Sequence, residues 1–448
     1  MARFPKGNAP DQLNYLILKE FLVKVSVNDV TGCTKEITVE VPSETVQTKM
    51  DGIYNRISQE AKIPGFRKGK VPLDVIRKQY KSAAREEMVQ HQLPEFFRSV
   101  LIEQKIEPVA QPQITHLQFE EGTPMKFVAT VEIKPAFEVK NYKGLAIKKV
   151  KTEVTDQDVD KAVENLRNQM AQLVPADRAA KGDDWVLIDF EGKIDGTVFE
   201  GGKASRYPVL LGSQSLLKDF EENLIGLKAG DSKTFKITFP ADYGKKEISG
   251  KEAEFTVKLH EIKEKKLPIL DDEFAKDAGK AETVKELREN MQAQIKLSKE
   301  NEQRSKMIEQ IGEALIGAHK FDVPASLIQM EQQRLVQQGV ERLRSQGIDA
   351  NQLPDEQKKQ FVEGMKPVAE KNVHLALIVE KISAAEKVKT EEADIDAYIQ
   401  KVSGNVGQPI DVVRRYVQQQ GNMDSIKDWI QYEKTLDFLI AQSKIEIV

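Results

Sequence analysis

Cysteine is almost absent from the sequence, because Cys33 is the only one in 448 residues. An intramolecular disulfide is therefore excluded, and the composition suits a reducing compartment. We expect Cys33 to be a free thiol packed in the interior. Histidine is scarce as well and never shows metal-ligand spacing, so we expect structural roles for His91, His116, His260, His319 and His374.

Nucleotide-binding and hydrolase motifs are missing too. The glycines form neither a phosphate-binding loop nor a dinucleotide fingerprint, and no Gly-x-Ser-x-Gly segment is present. The sequence therefore predicts no cofactor and no metal. It also argues against a hydrolase and against an ATP-driven chaperone cycle.

Long apolar runs do not occur. No stretch approaches the roughly 18 consecutive apolar residues that a membrane span needs. Near the N-terminus the apolar run is limited to Leu16, Ile17 and Leu18, and no small-residue cleavage site follows it. We expect no membrane association and no secretory signal, and we predict a cytoplasmic protein.

The length and charge of the chain limit the classes of partner. A chain of 448 residues exceeds what one hydrophobic core usually supports, so two to four domains are expected. Its 40% apolar and 31% charged residues are typical of a soluble protein. Because the net charge is only -4, a nucleic-acid contact would have to come from a local basic patch.

Hydrophobic periodicity predicts an α+β domain at the start of the chain. The predicted elements are a hairpin of strands around 23–27 and 37–41, a helix capped by Ser43, a helix from Pro72 to about Lys105 that bends near Pro94, and a strand at 125–133 that pairs with 113–120.

Three further regions follow. An amphipathic helix begins at Thr155, with an apolar stripe of Val159, Val163, Leu166, Met170 and Leu173. Short alternating segments and most of the aromatic clusters fill 185–262, which predicts a small sheet-rich domain. Residues 282–448 have a helical pattern punctuated by Pro324, Pro354, Pro367 and Pro409. The fold class is therefore multidomain α+β.

The segment IPGFRKGKVP, residues 63–72, combines an aromatic residue with cations between two glycines. Gly65 and Gly69 permit positive φ and a projecting tip, while Arg67, Lys68 and Lys70 suit phosphate groups. Lys62, Arg77, Lys78 and Lys81 extend the basic patch. From composition alone, an equally good alternative is that Phe66 folds back onto its own domain and the cations are merely solvated.

Eight consecutive residues, from Gly65 to Pro72, resemble the ribosome-docking signature of the bacterial trigger factor family, in the helix-loop-helix context that this family requires. The resemblance implies docking beside the peptide exit tunnel. The implied contact site comprises Gly65, Phe66, Arg67, Lys68, Gly69 and Lys70, which would meet ribosomal protein and RNA.

Four phenylalanines of the sheet-rich region could converge if its strands close over one helix. Spacing alone favours an ordinary aromatic core, but the order of elements from about 184 to 264 resembles an FKBP-type prolyl isomerase domain. The resemblance implies a pocket formed by Phe190, Phe199, Glu200, Tyr207, Leu216, Leu217, Phe220 and Phe255, with Tyr243 as the flap tyrosine. Here Glu200 replaces the usual aspartate and Phe220 the frequent tryptophan, which affects catalytic strength more than binding mode.

The C-terminal half has apolar stripes interrupted by glutamine-rich stretches. Such helices could line an open cradle for many client sequences, with Met291, Met307, Met330 and Met365 as adaptable contacts. The alternative is a self-sufficient bundle with ordinary core methionines. The segments 321–335 and 267–276 resemble, respectively, an arm helix and the exit from the isomerase insert of the same family.

The resemblance covers about residues 22–448 and implies the following domain organisation: an N-terminal extension at 1–21, a ribosome-binding domain at 22–134, a linker and a helix that packs with the C-terminal domain at 135–172, an isomerase domain at 173–264 and a helical substrate-binding chaperone domain at 265–448. The first 21 residues precede the family's usual start, so they are either a genuine extension or the product of a start codon placed too early.

The implied function is an ATP-independent chaperone that binds nascent and unfolded polypeptides at the ribosome and isomerises X-Pro bonds. A weak homodimer is compatible with the resemblance. Two alternatives remain open at this point. The chain could be an isomerase that recruits clients away from the ribosome, or an interaction scaffold whose isomerase fold is inactive.

Overall fold

The structure is a computed structural model, and it describes residues 23–213, 216–240, 248–279, 281–419, 421 and 423–447. The chain forms two compact units. The first combines the residues up to Val150 with those from Ser305 onward, and the second spans Lys151–Arg304. The predicted multidomain α+β class is confirmed by the N-terminal α+β part, the antiparallel sheet of the second unit and the helical remainder.

The N-terminal part of the first unit is an antiparallel sheet packed against helices. Its elements are β1 (Lys24–Thr31), β2 (Thr34–Val41), α1 (Ser43–Glu60), α2 (Leu73–Gln79), α3 (Lys81–Glu87), a π-helical turn (Met88–Gln92), α4 (Leu93–Glu103), β3 (Gln113–Gln118), β4 (Met125–Glu132) and, further on, β5 (Ala146–Lys149). The strand order is β1-β2-β4-β3, so the predicted hairpin and the pairing of 113–120 with 125–133 are confirmed.

Alternation decides which face of this sheet is buried. Ile37 of β2 and Phe127 of β4 point to the helices and are fully buried with Met50 and Ile53 of α1. Cys33 is a buried free thiol, as expected.

Two helix boundaries differ from the prediction. Ser43 is the first helical residue and not the cap, because the chain enters α1 from the extended residue Pro42. The single helix predicted from Pro72 is divided by the non-helical backbone of Tyr80 and by the π-helical turn. Pro94, near which the helix was predicted to bend, is the second residue of α4, and its missing N–H is tolerated in this first turn.

The second unit contains the predicted sheet-rich region. Its elements are α5 (Asp156–Gln169), β6 (Gln172–Pro175), β7 (Trp185–Ile194), β8 (Thr197–Leu210), α6 (Lys218–Leu224), β9 (Ser232–Thr238), β10 (Glu252–Lys266) and α7 (Asp272–Asp277), and α8 (Val284–Ala318) begins in this unit. The long strand β10 organises the sheet, since β7 pairs with one edge and both β9 and β6 pair with the other. β8 extends the sheet beyond β7.

Helix α5 begins as its sequence predicts. Thr155 and Asp158 form a reciprocal capping box, and Val159 and Val163 are buried. The predicted stripe is wrong at its end, because Leu173 belongs to β6 and is 45% exposed.

The remainder of the first unit is helical. It contains α9 (Ala325–Ser345), a 3-10 turn (Ala350–Gln352), α10 (Asp355–Ala385), α11 (Glu392–Val406), α12 (Ile410–Gln419), α13 (Met423–Ala441) and β11 (Lys444–Ile447). Pro324 and Pro354 each precede a helix as expected, but Pro367 lies inside α10. The strand β11, which the helical pattern did not indicate, pairs in parallel with β5. None of the described helices combines the length and apolar character of a membrane span.

A charge network joins the entry and exit segments of the second unit's sheet. The guanidinium of Arg178 donates to both carboxylate oxygens of Asp184, at 2.6 and 2.9 Å, and to Glu264 of β10 at 2.8 Å. Asp184 is buried and also accepts a hydrogen bond from the amide of Lys181 at 2.9 Å. Burial alone would raise the pKa of Asp184, but the bonds from Arg178 and Lys181 outweigh burial and lower that pKa.

We therefore predict that Asp184→Asn destabilises the second unit by about 2 kcal/mol near neutral pH, since the guanidinium and the amide lose their charged acceptor. A lowered pKa stabilises the fold above the ordinary value of about 3.9, and this stabilisation disappears as the pH falls through the lowered value. The difference between variant and parent should thus shrink in acid.

Urea unfolding followed by Trp185 fluorescence, in a Trp429→Phe background, measures this difference. Asp183→Asn is the matched control, because Asp183 is exposed and adjacent. Equal stability of the Asp184 variant and its parent at neutral pH would contradict the role of the network.

Candidate functional sites

The loop between α1 and α2 presents a phenylalanine to solvent. Ile63 and Val71 are buried and hold the two ends of the loop on the domain, while Phe66 between them is 44% exposed. Gly65 and Gly69 have φ of +90° and +75°, which other residues rarely adopt, so the two glycines permit the tip to turn outward. The alternative in which Phe66 folds back into the core does not describe this structure.

The cations of this loop are free of local carboxylates. Arg67, Lys68 and Lys70 are exposed, and within the described part of the chain no acidic group lies at ion-pair distance from them. Arg77 is different, because it pairs with Asp51 at 2.7 Å. The basic patch is thus smaller than the sequence suggested, since Arg77 links α1 to α2.

A tyrosine completes this link between the two helices. Tyr54 of α1 is buried, lies 5.9 Å from the guanidinium of Arg77 and donates a hydrogen bond to Glu121 at 3.1 Å. Burial, together with the neighbouring charge of Glu121 and that hydrogen bond, raises the pKa of Tyr54 to about 12. The helices on either side of the loop are therefore held to each other, and the tip projects from a fixed base.

Phenylalanine rings converge in the second unit, as the sequence predicted. Phe255 of β10 lies at the centre of the cluster. Its ring centroid is 5.2 Å from Phe220, 6.0 Å from Phe199, 6.3 Å from Phe235, 6.3 Å from Phe239 and 6.4 Å from Phe190. Most of these pairs are edge-on or tilted, the geometry that aromatic quadrupoles favour.

The remaining predicted pocket residues lie around this cluster. Tyr207 packs edge-on against Phe190 at 5.9 Å and is 44% exposed, so it stands at the rim. Leu216 and Leu217 are half-buried against the cluster, and Glu200 is exposed. Tyr243 lies outside the described residues.

Sequence reasoning missed three residues of the cluster. Phe235 lies on β9 and Phe239 directly follows its last residue, and the alternation KTFKITF could have indicated the inward orientation of both rings. Gly192 was also missed, although the rings depend on it. A Cβ at this position would lie 2.5 Å from Cε1 of Phe255 and 2.9 Å from Cε1 of Phe199.

The four methionines named above do not all support the same interpretation of the helical part, which was either an open cradle or a self-sufficient bundle. Met307 is buried among Ile311, Leu315 and their neighbours, so it is a core residue and the prediction that it lines an open surface is wrong. Met291 is half-buried in a small cluster of the second unit. Met330 is 39% exposed and Met365 half-buried, which leaves both accessible from solvent.

Exposed apolar side chains are numerous on these helices and in the connection that follows α9. The following side chains are at least 38% exposed: Met330, Val340, Ile348, Val362, Val368, Val406, Ile410, Val412, Tyr416 and Trp429. They suit contact with apolar segments of other chains.

The histidines have ordinary roles where their contacts are defined. His319 is buried, its Nδ1 lies 2.8 Å from the carbonyl of Leu315, and its Nε2 accepts the amide of Lys140 at 3.0 Å. His374 bonds the carbonyl of His319 at 2.9 Å. Burial lowers the pKa of His374, which favours the neutral imidazole. Among the described residues, no group of three or more potential ligands could hold a metal ion.

Comparison with known proteins agrees with the geometry. The trigger factor of Geobacillus sp. (strain WCH70) is 36% identical over 415 residues, which cover 91% of this chain and 96% of the relative. The chain belongs to the trigger factor family. The trigger factor of Carboxydothermus hydrogenoformans is likewise 36% identical, over 94% of this chain and 100% of its own. The resemblance inferred from the docking segment and the aromatic residues is thereby confirmed.

Family models match three stretches of this trigger factor family member. Residues 23–166 match the bacterial trigger factor protein, residues 283–441 match its C-terminus, and residues 176–260 match the FKBP-type peptidyl-prolyl cis-trans isomerase. A solved structure concerning promiscuous substrate recognition by the trigger factor chaperone aligns with 93% of this chain and 99% of its own, at 19% identity and a TM-score of 0.48.

We predict that Gly192→Ala forces the rings of Phe255 and Phe199 apart and destabilises the second unit by roughly 1–3 kcal/mol. Gly182→Ala is the matched control, because nothing lies within 4 Å of a Cβ there. Urea unfolding and near-ultraviolet circular dichroism of both variants provide the measurement. A Gly192 variant with the parent's stability and spectrum would contradict the close approach.

Proposed function

We propose that this trigger factor family member binds ribosomes through the loop at 65–70. The support is the exposure of Phe66 together with cations that no described carboxylate neutralises. Arginine and lysine suit RNA phosphates, and burial of the benzyl ring against a protein surface would contribute about 1.5–3 kcal/mol. The partner is then ribosomal protein and RNA beside the exit tunnel.

The aromatic pocket supports a second activity, cis-trans isomerisation of X-Pro peptide bonds. The barrier of about 18–20 kcal/mol arises from amide resonance, so the reaction needs no nucleophile, metal or redox group. An apolar wall formed by Phe190, Phe220 and Tyr207 disfavours the polar planar amide relative to the twisted one. The half-buried floor of Leu216 and Leu217 would hold the proline ring.

The helical part supports the holding of unfolded chains. Its exposed apolar side chains, including Met330, Val368 and Trp429, would contact emerging apolar segments without ATP. We propose that the protein acts in the cytoplasm on nascent and unfolded polypeptides, with weak homodimers when it is away from the ribosome.

The leading alternative, an isomerase that acts away from the ribosome, assigns no purpose to the exposed loop. The proposal therefore depends most on one observation, the outward position of Phe66 between Gly65 and Gly69.

Replacement of Phe66, Arg67 and Lys68 by alanine should abolish co-sedimentation with empty ribosomes at moderate salt, because both the apolar contact and two cations are lost. Isomerase activity on a short proline peptide should stay unchanged. Binding by the parent protein should weaken as salt rises, since phosphate contacts release counterions.

Lys358→Ala with Lys359→Ala is the control for charge, because it also removes two cations from the first unit. If the loop variant retains full binding, the docking site lies elsewhere. If it loses both activities, the substitutions have unfolded the protein.

Tyr207→Ala should lower kcat/KM for an X-Pro peptide by roughly tenfold, since it removes part of the pocket rim. Ribosome binding should be unaffected. Val30→Ala serves as the control, because this residue is 60% exposed on β1 of the other unit and belongs to neither proposed site. An unchanged kcat/KM for Tyr207→Ala would argue against this pocket as the site of isomerisation.

A further inference from the structure

Glu221 is a buried carboxylate. Rotation about an amide bond transfers no proton, so the proposed isomerisation does not require Glu221 as an acid or a base. It lies on α6, is only 3% exposed, and directly follows Phe220, whose ring packs on Phe190 and Phe255. A charged group with this degree of burial is costly unless hydrogen bonds satisfy its oxygens. The groups that donate hydrogen bonds to its oxygens indicate the role of Glu221.

Both oxygens of Glu221 hold backbone amides of the segment that joins β8 to α6. The Oε2 atom accepts the amide of Gly212 at 2.7 Å, and the Oε1 atom accepts the amide of Leu216 at 3.1 Å. Hydrogen bonds to an ionised acceptor are about twice as strong as neutral ones. One carboxylate thus fixes both the point where the chain leaves β8 and the point where it reaches the pocket floor.

The same short region is closed by backbone bonds. The carbonyl of Leu217 accepts the amides of Phe220 at 2.8 Å and of Glu221 at 3.1 Å. Leu216 and Leu217 are half-buried against the aromatic cluster, so their height in the pocket depends on where these bonds hold the chain. The floor, Phe220 and the carboxylate are therefore joined by one set of hydrogen bonds.

We propose that Glu221 is a positioning residue of the pocket, which sets the placement of Leu216 and Leu217 beneath the substrate proline. This inference rests on the proposed isomerase function. It goes beyond that function because Glu221 itself does not line the apolar wall and acts through the two backbone amides.

Glu221→Gln tests the role with little change in size. Glutamine has one acceptor oxygen, and its amide group would turn a donor toward the N–H of Gly212 or Leu216. We expect kcat/KM for a proline peptide to fall roughly tenfold, because small misplacements of a binding surface are costly. Glu222→Gln is the matched control, since its side chain is 59% exposed.

Two readouts separate positioning from simple destabilisation. A smaller folded fraction lowers kcat/KM equally for all peptides, whereas a displaced floor changes the ratio between a peptide with proline and one with the larger ring of pipecolic acid in its place. Leu217→Ala should also be non-additive with Glu221→Gln, because the carboxylate acts through this side chain. An unchanged ratio with additive effects would overturn the proposal.

The amide signals of Gly212 and Leu216 test the positioning without reference to activity. In the full chain labelled with 15N-glycine and 15N-leucine, both signals should shift in Glu221→Gln and stay in place in Glu222→Gln. If the parent protein lacks isomerase activity but these signals shift, the proposed function fails while the anchoring is supported. Signals that do not move would overturn the anchoring.

If Glu221→Gln does not fold, Glu221→Asp keeps the charge on a shorter stem and should displace both signals.

Discussion

Apolar burial between distant parts of the chain is the constraint on which the first unit depends. Ile147 of β5 is fully buried with Leu315 of α8 and Leu436 of α13, and β5 pairs in parallel with β11. The early residues and the late residues therefore share one core. The long stretch between them then folds around its own sheet, where Arg178 joins the entry segment to the exit strand β10.

Two kinds of surface exposure have different physical origins in this molecule. The loop at Phe66 is exposed because its ends are pinned by buried Ile63 and Val71 and its two glycines adopt positive φ. The helices expose apolar residues because their stripes exceed what their neighbours cover. The exposed loop is one small, defined surface, which suits a single partner. The exposed apolar residues of the helices are spread over several elements, which suits many different partners.

Much of this could be predicted from sequence because its determinants are local. Alternation identified the strands of the N-terminal sheet, and a contiguous motif identified the loop at 65–70 for which we propose ribosome binding. Predictions were wrong where a residue distant in the sequence determines the contacts of a side chain. Arg77 was counted as part of the basic patch because Asp51, its partner, lies on another helix. Met307 was assigned to an open surface because periodicity does not reveal which stripe is covered.

The aromatic pocket was also predictable only in part. Convergence of the rings followed from the order of the elements, but Gly192 gave no signal because its value lies in the absence of a side chain beside Phe255. Glu221 was overlooked because a buried carboxylate looks like any acidic residue in a helical pattern. Its significance emerges only when the amides of Gly212 and Leu216 are seen to converge on it.

The parallel pairing of β5 with β11 also orders events during translation. The strand partner of Ala146–Lys149 is Lys444–Ile447, so each residue pairs with one 298 positions later (444 − 146). At roughly 5–20 residues per second, a ribosome needs about 15–60 s to make that interval. The sheet of the second unit is complete in the meantime, so it has the opportunity to fold first, while the core that contains Ile147 waits for the final helices. The chain thus spends most of its own synthesis with the core around Ile147 unfinished.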